Sequence, residues 1–246
     1  MRNNLITIAV MSTLMIACTK SNNATATEKS QTDQAKAQTN KPANTDDCFK
    51  LALNKTYTKT DRDDTQVQHS EVTFENQKAI AITTEADGIK ADTIFDQSGR
   101  TQLASQTYGI AALGADPNTV VSTIHYQAPL PTFPSNLKAG QTFKMTYNSV
   151  LISPNDDERT PSKLIFDVTF AGFENLKFTD AENKALEFKN ACHFVSKLAK
   201  ESPDTPMIDG QTDEWFAEGY GIVKSVQKTK DGEIFSSDSI GDEAQP

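Results

Sequence analysis

The sequence is short of the residues that most enzyme chemistry needs. It has three histidines, three cysteines and a single tryptophan in 246 residues. No H-E-x-x-H, G-x-S-x-G or C-x-x-C pattern stands out, so the usual metalloprotease, hydrolase and dithiol signatures are missing. Basic residues are also scarce: 24 Lys and Arg face 33 Asp and Glu, for a formal charge of -9. An acidic chain lacks the electrostatic footprint that nucleic acid or anionic lipid requires, so neither is expected as a partner. No apolar run approaches the roughly 20 residues of a membrane-spanning helix. From Thr19 to Asp47 there is no Val, Ile, Leu, Met, Phe, Trp or Tyr at all. Such a tract cannot bury enough apolar surface to offset its ordering entropy, and it reads as a disordered tether with an r.m.s. span of about 30 Å.

What precedes that tract is a compact export address. Arg2 supplies a charged start, Leu5 to Ile16 an apolar middle, and Ala17 a small residue just before Cys18. Leu14-Met15-Ile16-Ala17-Cys18 resembles the lipobox of bacterial lipoproteins, in which the cysteine thiol is acylated and becomes the new amino terminus. Met15 stands where that pattern prefers Leu. The resemblance implies cleavage after residue 17, a lipid anchor at Cys18 and, because Thr19 is not Asp, delivery to the outer membrane facing the periplasm. Several acyl chains exceed the two-signal threshold for stable attachment. With Cys18 lipidated, Cys48 and Cys192 remain as one candidate disulfide in an oxidising compartment; left unpaired, they would be small buried hydrophobes. Across a 144-residue separation such a bridge is worth up to about 5 kcal/mol in the chain-entropy model and more typically about 2 to 4 kcal/mol.

Beyond Cys48 the pattern acquires a period of two. Phe143, Met145 and Tyr147 alternate with Thr142, Lys144 and Thr146, and Leu164, Phe166, Val168 and Phe170 alternate with Ile165, Asp167 and Thr169. This is the signature of antiparallel strands with one buried face. Asp87-Gly88, Ser98-Gly99, Ala139-Gly140 and Asp231-Gly232 punctuate the runs as turns. Pro129, Pro131 and Pro134 end the run built on Val120 to Tyr126. Helix is confined to two short candidates, Gly109 to Gly114 and Asp180 to Ala185. About ten strands at spacings of roughly 8 to 15 residues predict an all-β domain, 48–241, followed by a short tail, 242–246. Spacing of this kind fits a sandwich, a barrel or a strongly curved half-barrel.

The last part of that domain carries a second resemblance. Leu186 to Val195, and then Glu214-Trp215-Phe216-Ala217-Glu218-Gly219-Tyr220-Gly221-Ile222-Val223-Lys224, resemble the closing strands of an uncharacterised family of bacterial cell-envelope lipoproteins with a W-x-A-x-G-x-G-x-V strand. Leu130-Pro131, Leu137 to Phe143 and Phe49 to Tyr57 are similar to earlier elements of the same family. That resemblance implies an all-β, curved antiparallel sheet forming a half-barrel or barrel, distantly like the periplasmic lipoprotein carriers, and no catalytic residue. Gly219 and Gly221, two apart, would lie on one strand face where another element passes close or the sheet bends. Trp215 is either a core plug or the rim of a ligand cavity.

Other constellations point to little chemistry. Cys192 and His193 are strand neighbours that face opposite ways, so they cannot form a thiolate and its base. His69, His125 and His193 would bind zinc only if all three met. Asn155 to Glu158 and Asp209 to Glu214 read as solvated acidic loops, with weak calcium binding as the alternative. The expectation is therefore a non-enzymatic lipoprotein with no cofactor and no resident metal, attached to the membrane by its lipid. Its β domain would bind an apolar ligand such as lipid, or another envelope protein. A surface-displayed binding module and an envelope hydrolase are the alternatives.

Overall fold

The computed structural model describes residues 44–59, 65–153, 156–180, 183–200, 210–229 and 231–243. Cys18, the export signal and most of the expected tether lie outside the described residues, as do 244–246.

The described chain opens with a one-turn helix, α1 (Thr45–Cys48), inside the stretch whose composition suggested tether. Asn44 caps it by accepting a hydrogen bond from the Asp46 amide at 3.0 Å, and Asp46 and Asp47 sit in the first turn, where carboxylates suit the helix dipole. The helix is held from outside as well. The Thr45 hydroxyl accepts from the Leu137 amide at 3.1 Å, and Cys48 is joined by a disulfide to Cys192.

Thirteen strands follow among the described residues, more than the turn spacing suggested. They are β1 (Thr56–Thr58), β2 (Gln66–Phe74), β3 (Gln77–Ala86), β4 (Ile89–Asp96), β5 (Gln102–Tyr108), β6 (Val120–Gln127) and β7 (Thr142–Ser153). Then come β8 (Asp156–Thr179), β9 (Ala185–Lys200), β10 (Gln211–Ala217), β11 (Gly221–Lys228), β12 (Ile234–Ser239) and β13 (Asp242–Glu243). Twelve pair in strict sequence order, every pair antiparallel, while β13 leaves the path and pairs with β8. Sequential pairing follows from short connections. Asp87-Gly88 takes φ of 50° and 75° between β3 and β4, which fits a two-residue hairpin turn. Glu75-Asn76 does the same between β2 and β3 with φ of 47° and 65°, a turn that Glu does not advertise in sequence. The expected helix at Gly109 to Gly114 is one 3-10 turn, Ala111–Leu113.

The all-β, helix-poor character expected from alternation is what the chain adopts, but the barrel or half-barrel is not. The ladder is an open sheet whose two ends, β1 and β12, are not hydrogen-bonded to each other. Closure would need those two strands to pair, and each is diverted. β1 has three residues, and the segment before it bridges through Leu51 to Gly219 in the β10–β11 turn. Beyond β12 the chain crosses to β8.

The principal core lies on the face of β8–β10 that carries Phe170, Phe194 and Phe216. Phe49, delivered by the end of α1, stacks against Phe133 at 4.6 Å, Phe216 at 5.2 Å and Phe194 at 5.7 Å between ring centroids. Phe133 meets Phe194 at 5.0 Å and Phe216 at 5.3 Å, and Phe170 meets Phe194 at 5.2 Å. Each such pair adds about 0.5 to 1.5 kcal/mol beyond its area burial. Gly99 is required here: a Cβ on it would lie 2.0 Å from the Phe49 carbonyl oxygen, and its φ is +70°.

Candidate functional site

Strand β10 separates two environments by simple alternation. Asp213 and Trp215 point to one face, Glu214 and Phe216 to the other. Residues 211–217 form a buried or half-buried strand, so the acidic stretch expected as a solvated loop ends in strand. Asp209 lies outside the described residues, as do the side chains of Asp156, Asp157 and Glu158.

On the tryptophan face, register places Trp215 directly between His193 of β9 and Lys224 of β11. The imidazole stacks on the indole at 4.2 Å with 14° between planes, and the Lys224 ammonium stands 4.7 Å from the indole centre. His193 is held at both ring nitrogens: Nδ1 lies 2.8 Å from Glu174 Oε1 and Nε2 lies 3.0 Å from Asp213 Oδ1. The Trp215 indole N–H donates to the other Glu174 oxygen at 2.8 Å. Asp213 Oδ2 accepts from Gln211 at 2.8 Å and pairs with Lys228 at 2.9 Å. Burial pushes the Asp213 carboxyl up, but hydrogen bonds from Gln211, Lys228 and His193 outweigh it and hold the group below the usual carboxylate range.

This arrangement suits holding charge in place and does not suit moving protons. A catalytic histidine keeps one nitrogen on an orienting carboxylate and offers the other to substrate. Here carboxylates occupy both, so two N–H donors are wanted at once. Trp215 is 8% exposed and belongs to a second apolar cluster with Phe178, Phe188, Ala217, Val223, Val226 and Ile240. Its indole is thus enclosed by this chain's own side chains.

The W-x-A-x-G-x-G-x-V segment is not one strand. Ala217 ends β10 and Gly221 begins β11, so Gly219 and Gly221 lie in and at the end of the connecting turn, with φ of +84° and +75°. Close approach nevertheless occurs there: Gly219 exchanges backbone hydrogen bonds with Lys50 and Ala52, and a Cβ on Gly221 would sit 3.3 Å from Leu51.

On the phenylalanine face Glu214 is buried without a basic neighbour strong enough to offset its desolvation. Burial raises its pKa to about 7, Lys59 lowering it only in part. Tyr147, whose hydroxyl burial also pushes well above its ordinary value, shares that environment.

The three histidines do not meet. His69 is fully buried on β2, its Nδ1 3.1 Å from the Ala52 carbonyl oxygen, and burial lowers its pKa toward a neutral ring. His125 lies 3.4 Å from Glu75 and 5.4 Å from the Phe74 ring. Among the described residues no group of three or more His, Cys, Asp or Glu is placed to hold a metal ion. Cys192 and His193 do face apart, the first into its disulfide. Sequence reasoning missed the meeting of Glu174, His193 and Asp213. The only local signal was the alternation Gln211, Asp213, Trp215 within an apparently acidic loop.

No protein-family model matches the chain, and no curated protein does. Two solved structures are similar to it. One is a protein of Bacteroides fragilis described as exported and as having a YmcC-like fold, 14% identical, with a TM-score of 0.37 over 78% of this chain and 100% of that one. The other is a protein of Parabacteroides distasonis described as a lipoprotein, 12% identical, with a TM-score of 0.42 over 80% of this chain and 98% of that one.

Proposed function

We propose that the chain is a lipoprotein of the bacterial cell envelope, anchored through Cys18 in the outer membrane facing the periplasm, whose β domain docks a protein partner and catalyses no reaction. The anchor reading rests on the Leu14 to Cys18 lipobox and is compatible with a disulfide in the domain, which belongs to oxidising compartments. The observation that carries the choice of partner over apolar ligand is the filling of the phenylalanine face. Phe49, Phe133, Phe170, Phe194 and Phe216 are each 7% exposed or less and in mutual ring contact, so the space a lipid chain would need is taken by the chain's own rings. The double carboxylate grip on His193 supports the non-enzymatic reading.

Two measurements test this. Globomycin should block maturation of the precursor, and radiolabelled palmitate should enter the wild type but not Cys18→Ala; unaltered processing would remove the anchor. Native mass spectrometry of the protein extracted gently from membranes should show the acylated chain with no further lipid. A stoichiometric retained lipid would overturn partner docking in favour of carriage.

A further inference from the structure

The two ends of the open sheet are not alike. β1 is a three-residue edge flanked by Lys55 and Lys59, and short length with flanking lysines is how edge strands are normally protected from pairing. β12 has neither protection. It contains no Lys, Arg or Pro, and among the described residues it pairs only with β11.

Its register fixes which backbone groups face outward. The Ile240 amide donates to the Val223 carbonyl, and Asp238 pairs with Ser225 and Ser236 with Gln227. Hydrogen-bonded and non-hydrogen-bonded pairs alternate along an antiparallel ladder, so positions 240, 238 and 236 turn their backbone groups toward β11. The outward-pointing N–H and C=O groups therefore belong to Ser237 and Ser239, two residues apart as a neighbouring strand requires. Ile234, at the start of the same edge, is 67% exposed. The charge of the segment itself has one sign. Residues 231–243 carry Asp231, Glu233, Asp238, Asp242 and Glu243, and no Lys, Arg or His. The lysines one strand inward are engaged, Lys228 with Asp213 and Lys224 over Trp215.

We propose that the outer edge of β12 is the docking site, and that it receives an extended, lysine- or arginine-bearing segment of an envelope protein as an added strand. Backbone bonds to Ser237 and Ser239 give the attachment, the carboxylates of Asp231, Glu233, Asp242 and Glu243 select a basic segment, and Ile234 offers an apolar contact. A second copy of this chain is disfavoured as occupant because the same carboxylates would face each other. The inference rests on the partner-docking reading above and makes it specific.

The test uses the full-length lipoprotein in detergent and a fluorescein-labelled octapeptide of alternating valine and lysine, with its valine–glutamate counterpart as control. Ser237→Pro removes an outward N–H without breaking a β11 bond, and Ser237→Lys leaves the backbone intact but repels the probe. Anisotropy should show binding of the lysine peptide to wild type, a loss of about tenfold in either variant and in 0.5 M salt, and no binding of the glutamate peptide. No binding to wild type, equal binding to all three proteins, equal binding of both peptides, or dimers held through β12 would each overturn the proposal. Photo-crosslinking in cells from position 237 and from positions on both sheet faces separates the two readings. Adducts with a partner only from elsewhere would sink the β12 site and leave docking intact, whereas no adduct from any position would sink docking itself.

Discussion

The β8–β10 region and the β3–β5 region bury their residues by different means. In the first, large rings from Phe49 just after α1, from the segment before β7 and from three strands meet in tilted and edge-on contacts, and a disulfide ties the helix to β9. In the second, the buried cluster is Ala79, Ile94, Leu103 and Ala104, with Val72 and Phe74 partly buried against it. Small side chains make few dispersion contacts each, so that region owes more of its order to the backbone ladder. The contrast locates where this protein is brittle: in the aromatic region one truncation leaves a hole, and in the alanine-rich region there is little to remove.

Removing a ring should show this most sharply. Phe194→Ala takes away the side chain that touches Phe49, Phe133, Phe170 and Phe216, and is expected to cost about 3 to 5 kcal/mol in urea unfolding. A cost near that of a surface substitution would mean the rings are loosely packed. Replacing both Cys48 and Cys192 by Ser is expected to cost about 2 to 4 kcal/mol, and urea unfolding in the absence and presence of dithiothreitol should bring the oxidised wild type down toward the double variant.

Glu214 supplies a test specific to pH. Its carboxyl is raised to about 7 by burial, from an ordinary value of 4.5. The unfolded chain releases that proton first as pH rises, so the folded state binds more protons between those values and stability falls with rising pH across that window. The loss is on the order of 3 kcal/mol at most. Glu214→Gln should therefore be more stable than wild type at pH 8 and gain nothing at pH 4.5; equal curves at both would mean the carboxyl is not desolvated. Asp213 slopes the other way: its pKa is held down, so its contribution is present above the ordinary carboxylate range and fades as pH falls through the lowered value. The smallest effect belongs to the alanine-rich region, where Ile94→Val should cost about 0.5 to 1.5 kcal/mol by thermal melting. A value above that of Phe194→Ala would invert the comparison.

Much of the fold was legible from sequence because alternation and turn chemistry are local. Phe143 to Tyr147 and Leu164 to Phe170 form the strands their period suggested, and Asp87-Gly88 and Asp231-Gly232 connect strands as expected. Glu75-Asn76 was not legible because Glu rarely accepts a positive φ, and it is tolerated here where the ladder on both sides imposes the turn. The candidate site was hardly legible. Glu174, His193 and Asp213 are 19 and 20 residues apart in sequence, on three strands, and only register brings them to one imidazole.

From the residues alone it followed that the folded part is antiparallel β with little helix, and that Cys48 and Cys192 were the pair available once Cys18 was set aside. Folding in three dimensions was needed to show that the sheet stays open, that the glycines of the closing motif serve a turn, and that one histidine is gripped between two carboxylates. The division has a physical cause. A two-residue period is written into each strand separately, whereas closure, register between distant strands and the desolvation of a charge depend on which segments meet, and no local pattern encodes that.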